Sequence, residues 1–240
     1  MPTAAPRTAR AVARAELTRA ILDCATTQLA EVGPAALSVR AVARELGMAS
    51  SALYRYFESR DALLTVLIVE AYDDLGTTVE TADASVGRED LLGRWRAMAH
   101  ALRGWAIAHP HQYALTYGSP VPGYAAPDDT VAPATRVSLA LISLFGDAGL
   151  AGTTPIDTVE VSEAEVAALG PVLAFVDPPL SPERGVRGLL AWATLFGNVS
   201  LELFGHMYRG ILDYEAHFTQ VVDQLGHDLG LGSVRPGGAP

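Results

Sequence analysis

Gly47 sits between two short helical periods, and that junction leaves the chain around it very few arrangements. Upstream, Val39, Val42, Ala43 and Leu46 recur three and four residues apart, so one face of a helix is apolar. Ser38 stands directly before them, where its hydroxyl can accept an orphan backbone N–H as an N-cap. Glycine takes positive φ at little cost, so Gly47 can end that helix at once. Downstream, Leu53 and Phe57 stand four apart and give a second helix its buried stripe. Its other faces carry Ser50, Ser51, Tyr54, Arg55 and Tyr56. A short helix, a glycine turn and a second helix with a polar outer face have the geometry of a helix-turn-helix.

The flanks extend the same logic. A first helix is expected over Ala15–Val32, with Leu17, Ile21, Ala25 and Leu29 as its stripe and Cys24, Gln28 and Val32 beside it. Gly33-Pro34 stops it. Residues 1–13, with Pro2, Pro6 and scattered Arg, read as a flexible basic arm. Ser59 is placed to cap a fourth helix, with Asp61 favourable in its first turn. Leu64, Leu67, Ala71, Leu75 and Val79 keep helical period to about Glu80.

The stretch Ser38–Arg60 resembles the DNA-binding domain of TetR-family transcriptional repressors. The match runs through Ser38, Val42-Ala43, Gly47, Leu53-Tyr54-Arg55-Tyr56-Phe57, Ser59 and Leu63-Leu64. Two positions depart from the family pattern: Ala49 replaces its usual Ser, with Ser50 and Ser51 following, and Arg60 replaces its Lys with charge kept. The resemblance implies a three-helix head on residues 1–62, a fourth helix shared by both domains, and a double-stranded DNA operator as partner. Ser38, Arg40, Ser50, Ser51, Tyr54, Arg55, Tyr56 and Arg60 are the candidate DNA-binding residues. A guanidinium can bond guanine in a bidentate manner, which favours Arg40 and Arg55 for base reading. Tyr54 and Tyr56 lie about 200° apart around a helix axis. They therefore cannot both point inward with Phe57, and at least one hydroxyl is expected to reach phosphate.

Charge supports that division. Residues 1–60 carry eight Arg against five acids, and the rest nine against twenty-two, within a net charge of −10. A basic head on an acidic body suits a head that meets phosphate and a body that does not. Every cation is Arg, a bias that needs no functional reading. A single cysteine, Cys24, cannot form an intrachain disulfide, and the expected location is the cytoplasm. No secretory signal is expected in residues 1–14, and no apolar run of membrane-spanning length is expected anywhere.

After residue 62 the pattern stays helical, so the fold class is all-α: a helix-turn-helix head, a larger bundle over residues 63–230 and a tail over residues 231–240. Helices are expected over Arg88–His109, His111–Tyr117, Thr135–Asp147, Ser162–Phe175, Pro182–Tyr208 and Asp213–Leu229. The penultimate one is apolar nearly all round. Its two apolar faces are Leu189, Ala193, Phe196, Ser200, Leu203, Met207 and Leu190, Thr194, Gly197, Leu201, Phe204, Tyr208. Such a helix is buried from two sides, so the last two helices are expected to form a homodimer interface. One small head also supplies too few contacts for specific affinity, which calls for two heads on a palindrome, one helical turn apart.

The run Trp192–Leu203 resembles the Trp-His-Gly type of C-terminal domain found in some TetR regulators, with Phe196 where that domain usually has His. Aromatic residues are abundant in the body, and Trp105, Tyr113, Tyr117, Trp192 and Phe196 are the candidate ligand-binding set for an apolar or aromatic small-molecule effector. No metal site is expected from the six His, none of which makes the i, i+4 pair of a zinc hydrolase helix. Neither a catalytic motif nor a cofactor motif appears. The expected function is a ligand-responsive transcriptional regulator, most often a repressor. The alternative is an α-helical enzyme or ligand carrier, and steep salt dependence of duplex binding separates the two.

Overall fold

Side-chain caps set where most helices begin. Thr8, Ser38, Ser59, Asp90, Ser162, Ser181 and Asp213 each accept from the backbone N–H three residues on. Each such cap is worth about 1 kcal/mol. The computed structural model describes residues 8–232. Among them are α1 (Ala9–Val32), α2 (Val39–Glu45), α3 (Ser50–Leu53), α4 (Arg60–Ala84), α5 (Leu91–Ala108) and α6 (Pro110–Tyr117). Then follow α7 (Val131–Leu150), α8 (Glu163–Leu173), α9 (Pro182–Leu203) and α10 (Tyr214–Asp228), with no strand among the described residues. The all-α class is as expected.

The chain divides into two compact units, Met1–Ala71 with His111–Val131, and Tyr72–Pro110 with Ala132–Pro240. In the first, α1 packs on α2 and α2 on α3. Ile21, Ala25, Val42, Ala43, Leu53, Leu63 and Leu64 are fully buried, which is the stripe pattern the sequence carries. Thr8 caps α1, so the helix starts at Ala9 rather than Ala15, although residues 9–16 are all exposed. The part of the expected arm before Thr8 lies outside the described residues. Tyr124, from the segment after α6, meets the Thr65 hydroxyl on α4 at 3.0 Å.

In the second unit, α5 is the central element, contacting α9 and α10. Trp95, Met98 and Leu102 of α5 are buried with Phe145, Leu195, Phe218 and Val222. The Trp95 indole Nε1–H donates to the Val222 carbonyl at 2.8 Å. Three buried arginines, which the apolar periodicity did not indicate, join this core: Arg94, Arg103 and Arg184. Arg94 donates from Nε to Asp83 at 2.7 Å and from Nη1 to Asp147 at 2.8 Å, tying α5 to α4 and α7. Arg103 pairs with Glu202 on α9 and Glu215 on α10 and lies over the Phe218 ring at 5.4 Å.

Two expectations are corrected. First, α9 ends at Leu203, not Tyr208. Gly205, at φ 77°, donates its N–H to the Glu202 carbonyl, and His206 N–H donates to Leu201, a Schellman stop. The face buried within the chain runs through Gly188, Ala191, Leu195 and Val199 with Phe196, while Leu190, Leu201 and Phe204 are 55%, 43% and 44% exposed. A helix apolar all round gives no sequence signal for which stripe faces its own chain. Second, Asp128–Leu150, with mean hydropathy 1.2, is long and apolar enough to cross a membrane. Two of its charges are nonetheless committed within the second unit: Arg136 pairs with Asp73 and Glu80, and Asp147 with Arg88 and Arg94.

The α5–α10 contact depends on Gly226. A Cβ there would stand 2.6 Å from Leu92 Cδ1 and 3.0 Å from the Trp95 ring, and Trp95 is 0% exposed. In an open helix Gly→Ala gains about 1 kcal/mol. Here Gly226→Ala is expected to destabilise by about 1–3 kcal/mol, read as a lower midpoint in urea unfolding. An unchanged or higher midpoint would show that the helices have room to part.

Candidate nucleic-acid interface

The turn of the motif is built by backbone bonds that only a left-handed residue permits. Gly47 has φ 65°; its N–H donates to the Arg44 carbonyl at 3.1 Å, and Met48 N–H donates to Ala43 at 2.8 Å. At the other end of α2, the Ser38 hydroxyl accepts from Ala41 N–H at 3.4 Å. Ser38 N–H in turn donates to Gln28 Oε1 of α1 at 2.7 Å. That bond fixes the entry to α2 on α1. A polar residue beside an otherwise apolar stripe was its only trace in the sequence. Ala49 occupies the N-cap of α3 without a side-chain bond, as its methyl dictates, and α3 is correspondingly short.

The expected second helix ends at Leu53, and Phe57 follows it across a turn; the two anchor this segment from below, at 0% and 6% exposure. Of the residues between them, Tyr54 and Arg55 are turned outward. Tyr54 is 42% exposed, and Ser51 and Arg55 are exposed, as is Arg40 on α2. Ser50 and Tyr56 are half-buried. The Arg14 guanidinium of α1 lies 5.5 Å above the Tyr56 ring, a cation–π contact across the sequence that periodicity could not reveal. Of the two tyrosines, Tyr54 is therefore the free one and Tyr56 the supported one. Arg40, Arg44 and Arg55 form no ion pair among the described residues. Arg19, by contrast, pairs with Asp23 and Glu70.

Arg60 has a different position. Its Nε donates to the Leu37 carbonyl at 3.2 Å, and its Nη2 donates to Pro34 at 2.7 Å and Ala35 at 3.2 Å. It ties the start of α4 to the segment between α1 and α2. Three carbonyls of one loop converging on one guanidinium exploit the planar fork that a lysine lacks. Cys24 is core, as expected. Burial pushes its thiol up to about 11, so it is neutral near pH 7 and unreactive.

The aromatic residues proposed from sequence for ligand binding fall into separate groups. Tyr113 and Tyr117 belong to the first unit, their rings 5.3 Å apart, and Tyr113 is fully buried. Trp105, in the second, donates its indole N–H to Asp74 at 2.6 Å. Trp192 and Phe196 stack at 5.2 Å on α9. Trp192 also lines a cavity of about 230 Å³ with Leu141, Phe145, Val172 and Leu180. Its indole Nε1–H is buried with no acceptor among the described residues. No His/Cys/Asp/Glu cluster able to hold a metal occurs among the described residues.

Comparison with known proteins agrees with this architecture. Residues 21–67 match the family described as bacterial regulatory proteins, tetR family, and residues 95–225 match the tetracyclin repressor-like C-terminal domain. The HTH-type transcriptional regulator Rv1816 of Mycobacterium tuberculosis is 42% identical over 202 residues, covering 80% of this chain and 83% of its own. The crystal structure of the regulatory protein SCO4313 superposes with TM-score 0.75 at 35% identity, covering 92% of this chain and 98% of its own. A Rhodococcus sp. RHA1 protein of unknown function shares the fold at TM-score 0.65 and 24% identity, over 91% and 96% of the two chains. A glycine-turned helix pair with an unpaired basic outer face, continuous with an all-α bundle matching over 95–225, places this chain in the TetR family of transcriptional regulators.

Proposed function

We propose that this regulator is a cytoplasmic repressor that holds a palindromic operator as a homodimer and is released by a small apolar or aromatic molecule. Residues 1–62 serve as the DNA-binding domain and residues 63–230 as the ligand-binding and dimerisation domain. The observation that carries the reading is the unpaired state of Arg40 and Arg55 beside the exposed Tyr54 hydroxyl. Charges left without protein partners on an outward helix pair suit a polyanion, because neutralising phosphates releases condensed counterions. Arg40 and Arg55 are the base-reading candidates, Tyr54, Ser50 and Ser51 the phosphate contacts.

The exposed stripe of α9 supports the dimer. Leu190 and Leu201, at 55% and 43% exposure, share that face with the small residues Ala193 and Gly197, and the exposed Phe204 and Tyr208 follow beyond the end of the helix. Burying one large apolar side chain gains about 1.5–3 kcal/mol, and glycine permits close approach of a partner helix. The cavity beside Trp192 supports the effector. An apolar cavity lined by Trp192, whose indole N–H is unused, suits an uncharged molecule bearing a single acceptor. Such a molecule releases DNA only if it binds the DNA-incompetent arrangement more tightly.

Three outcomes are expected. Arg40→Ala and Tyr54→Phe should each weaken operator binding by about 1–3 kcal/mol in a shift assay with melting unchanged, whereas Arg60→Ala should lower the melting temperature through its lost carbonyl bonds; undiminished affinity in both of the first two would reject the assigned face. Leu201→Asp should shift sedimentation at micromolar concentration from dimer to monomer, and a wild-type monomer would remove the interface. A molecule found by thermal shift to occupy the Trp192 cavity should weaken operator affinity about 5- to 150-fold. Stabilisation without operator release would end the proposed switch.

A further inference from the structure

The three buried arginines of the second unit are not alike. Arg94 has Asp83 and Asp147, and Arg103 has Glu202 and Glu215. Arg184, 3% exposed, has no carboxylate among the described residues. Its Nη1 donates to the Leu229 carbonyl at 3.4 Å, and its Nη2 to the Thr153 carbonyl and, at 3.1 Å, to the Thr153 hydroxyl. Carbonyls and hydroxyls satisfy hydrogen bonds but leave the charge uncompensated, and a buried unpaired charge is costly. Burial accordingly pulls the pKa of Arg184 down. Burial acts the same way on Arg94, but there the bonds to Asp83 and Asp147 outweigh it and the net shift is upward.

What distinguishes Arg184 further is that it lines a cavity of about 240 Å³ together with Thr154, Ser181, Pro155 and Pro178. Its Nε–H has no acceptor among the described residues, and Gly149, also on the cavity wall, would bring an added Cβ to within 4.0 Å of that nitrogen. Ser181 is the N-cap of α9, so the positive end of that helix contributes to the same place. Pro155, Pro178 and Pro179 add apolar surface to the same cavity. Leu180 lines both this cavity and the one beside Trp192, so the two are neighbours with different chemistry.

We infer that this cavity is a second binding site, which takes a small organic monocarboxylate with its oxygens on the Arg184 guanidinium and its apolar body on Pro155 and Pro178. One uncompensated positive charge matches one negative charge. A polyanion would exceed it and would leave the proline wall unused.

The test is calorimetric titration of the full-length protein with benzoate and with benzamide, its neutral isostere, at fixed ionic strength. Benzoate is expected to bind at least about tenfold more tightly than benzamide, the scale of a charge-assisted hydrogen bond. Gly149→Val adds a branched side chain whose Cβ stands 4.0 Å from Nε, in ordinary contact, and fills the wall beside it. It is expected to melt no lower than the wild type and to lose benzoate binding. Equal binding of the two ligands, undiminished benzoate binding by Gly149→Val, or no benzoate binding by the wild type would each overturn the site.

Discussion

The desolvated guanidinium of Arg94 is the interaction on which the second unit depends. It is 0% exposed and bonded to acids from two other helices, so α4, α5 and α7 share one charge cluster. Removing one member of such a cluster strands the others, at a cost of about 3–5 kcal/mol. The helices it joins are otherwise apolar over wide arcs and could slide or rotate with little change in buried area. A fixed hydrogen-bond fork cannot slide. Arg103 does the same for α5, α9 and α10. A chain whose cations are all arginine thus uses the fork geometry where a lysine would offer only a point charge.

The head solves a different problem. It must hold two short helices rigidly while leaving their outer side chains uncommitted. The bonds that do the holding, Gln28 to Ser38, Gly47 to Arg44 and Arg60 to the loop carbonyls, all involve backbone groups. Arg40, Arg55 and Tyr54 are therefore spared internal duties. Rigidity comes from below, through Leu53 and Phe57, and chemistry is left on top. A three-helix head of this kind carries a basic balance into a chain that is acidic as a whole, which keeps the phosphate-seeking charge local.

The second unit has two further unfinished features within a well-packed core. One is an apolar stripe on α9 that the other described residues do not cover, and the other is a pair of cavities, one lined by Trp192 with its unmet indole N–H and one lined by Arg184 with its uncompensated charge. Elsewhere among the described residues buried polar side-chain atoms are met, as the rule for protein interiors requires. Trp95 reaches Val222 and Trp105 reaches Asp74. Against that background, unmet donors at cavities are where a ligand gains most from binding.

The sequence by itself determined the helical class, the turn at Gly47, the caps at Ser38 and Ser59, and the buried stripe of α1. These are local: a cap spans three residues, a stripe repeats every turn, and a left-handed residue acts where it stands. It also indicated the outward set on the motif, since Leu53 and Phe57 fix what the residues between them can do. Tertiary structure alone decided the rest. Arg94 and Arg103 are ordinary polar positions in sequence, and their partners lie 11 to 112 residues away. The same holds for Arg14 on Tyr56 and for Arg60 on the loop carbonyls. Which stripe of α9 faces its own chain, and which aromatic residues line a cavity rather than a core, depend on what packs opposite. Periodicity shows that a face is apolar but carries no information about its neighbour, because burial is a property of two surfaces and the sequence pattern describes one.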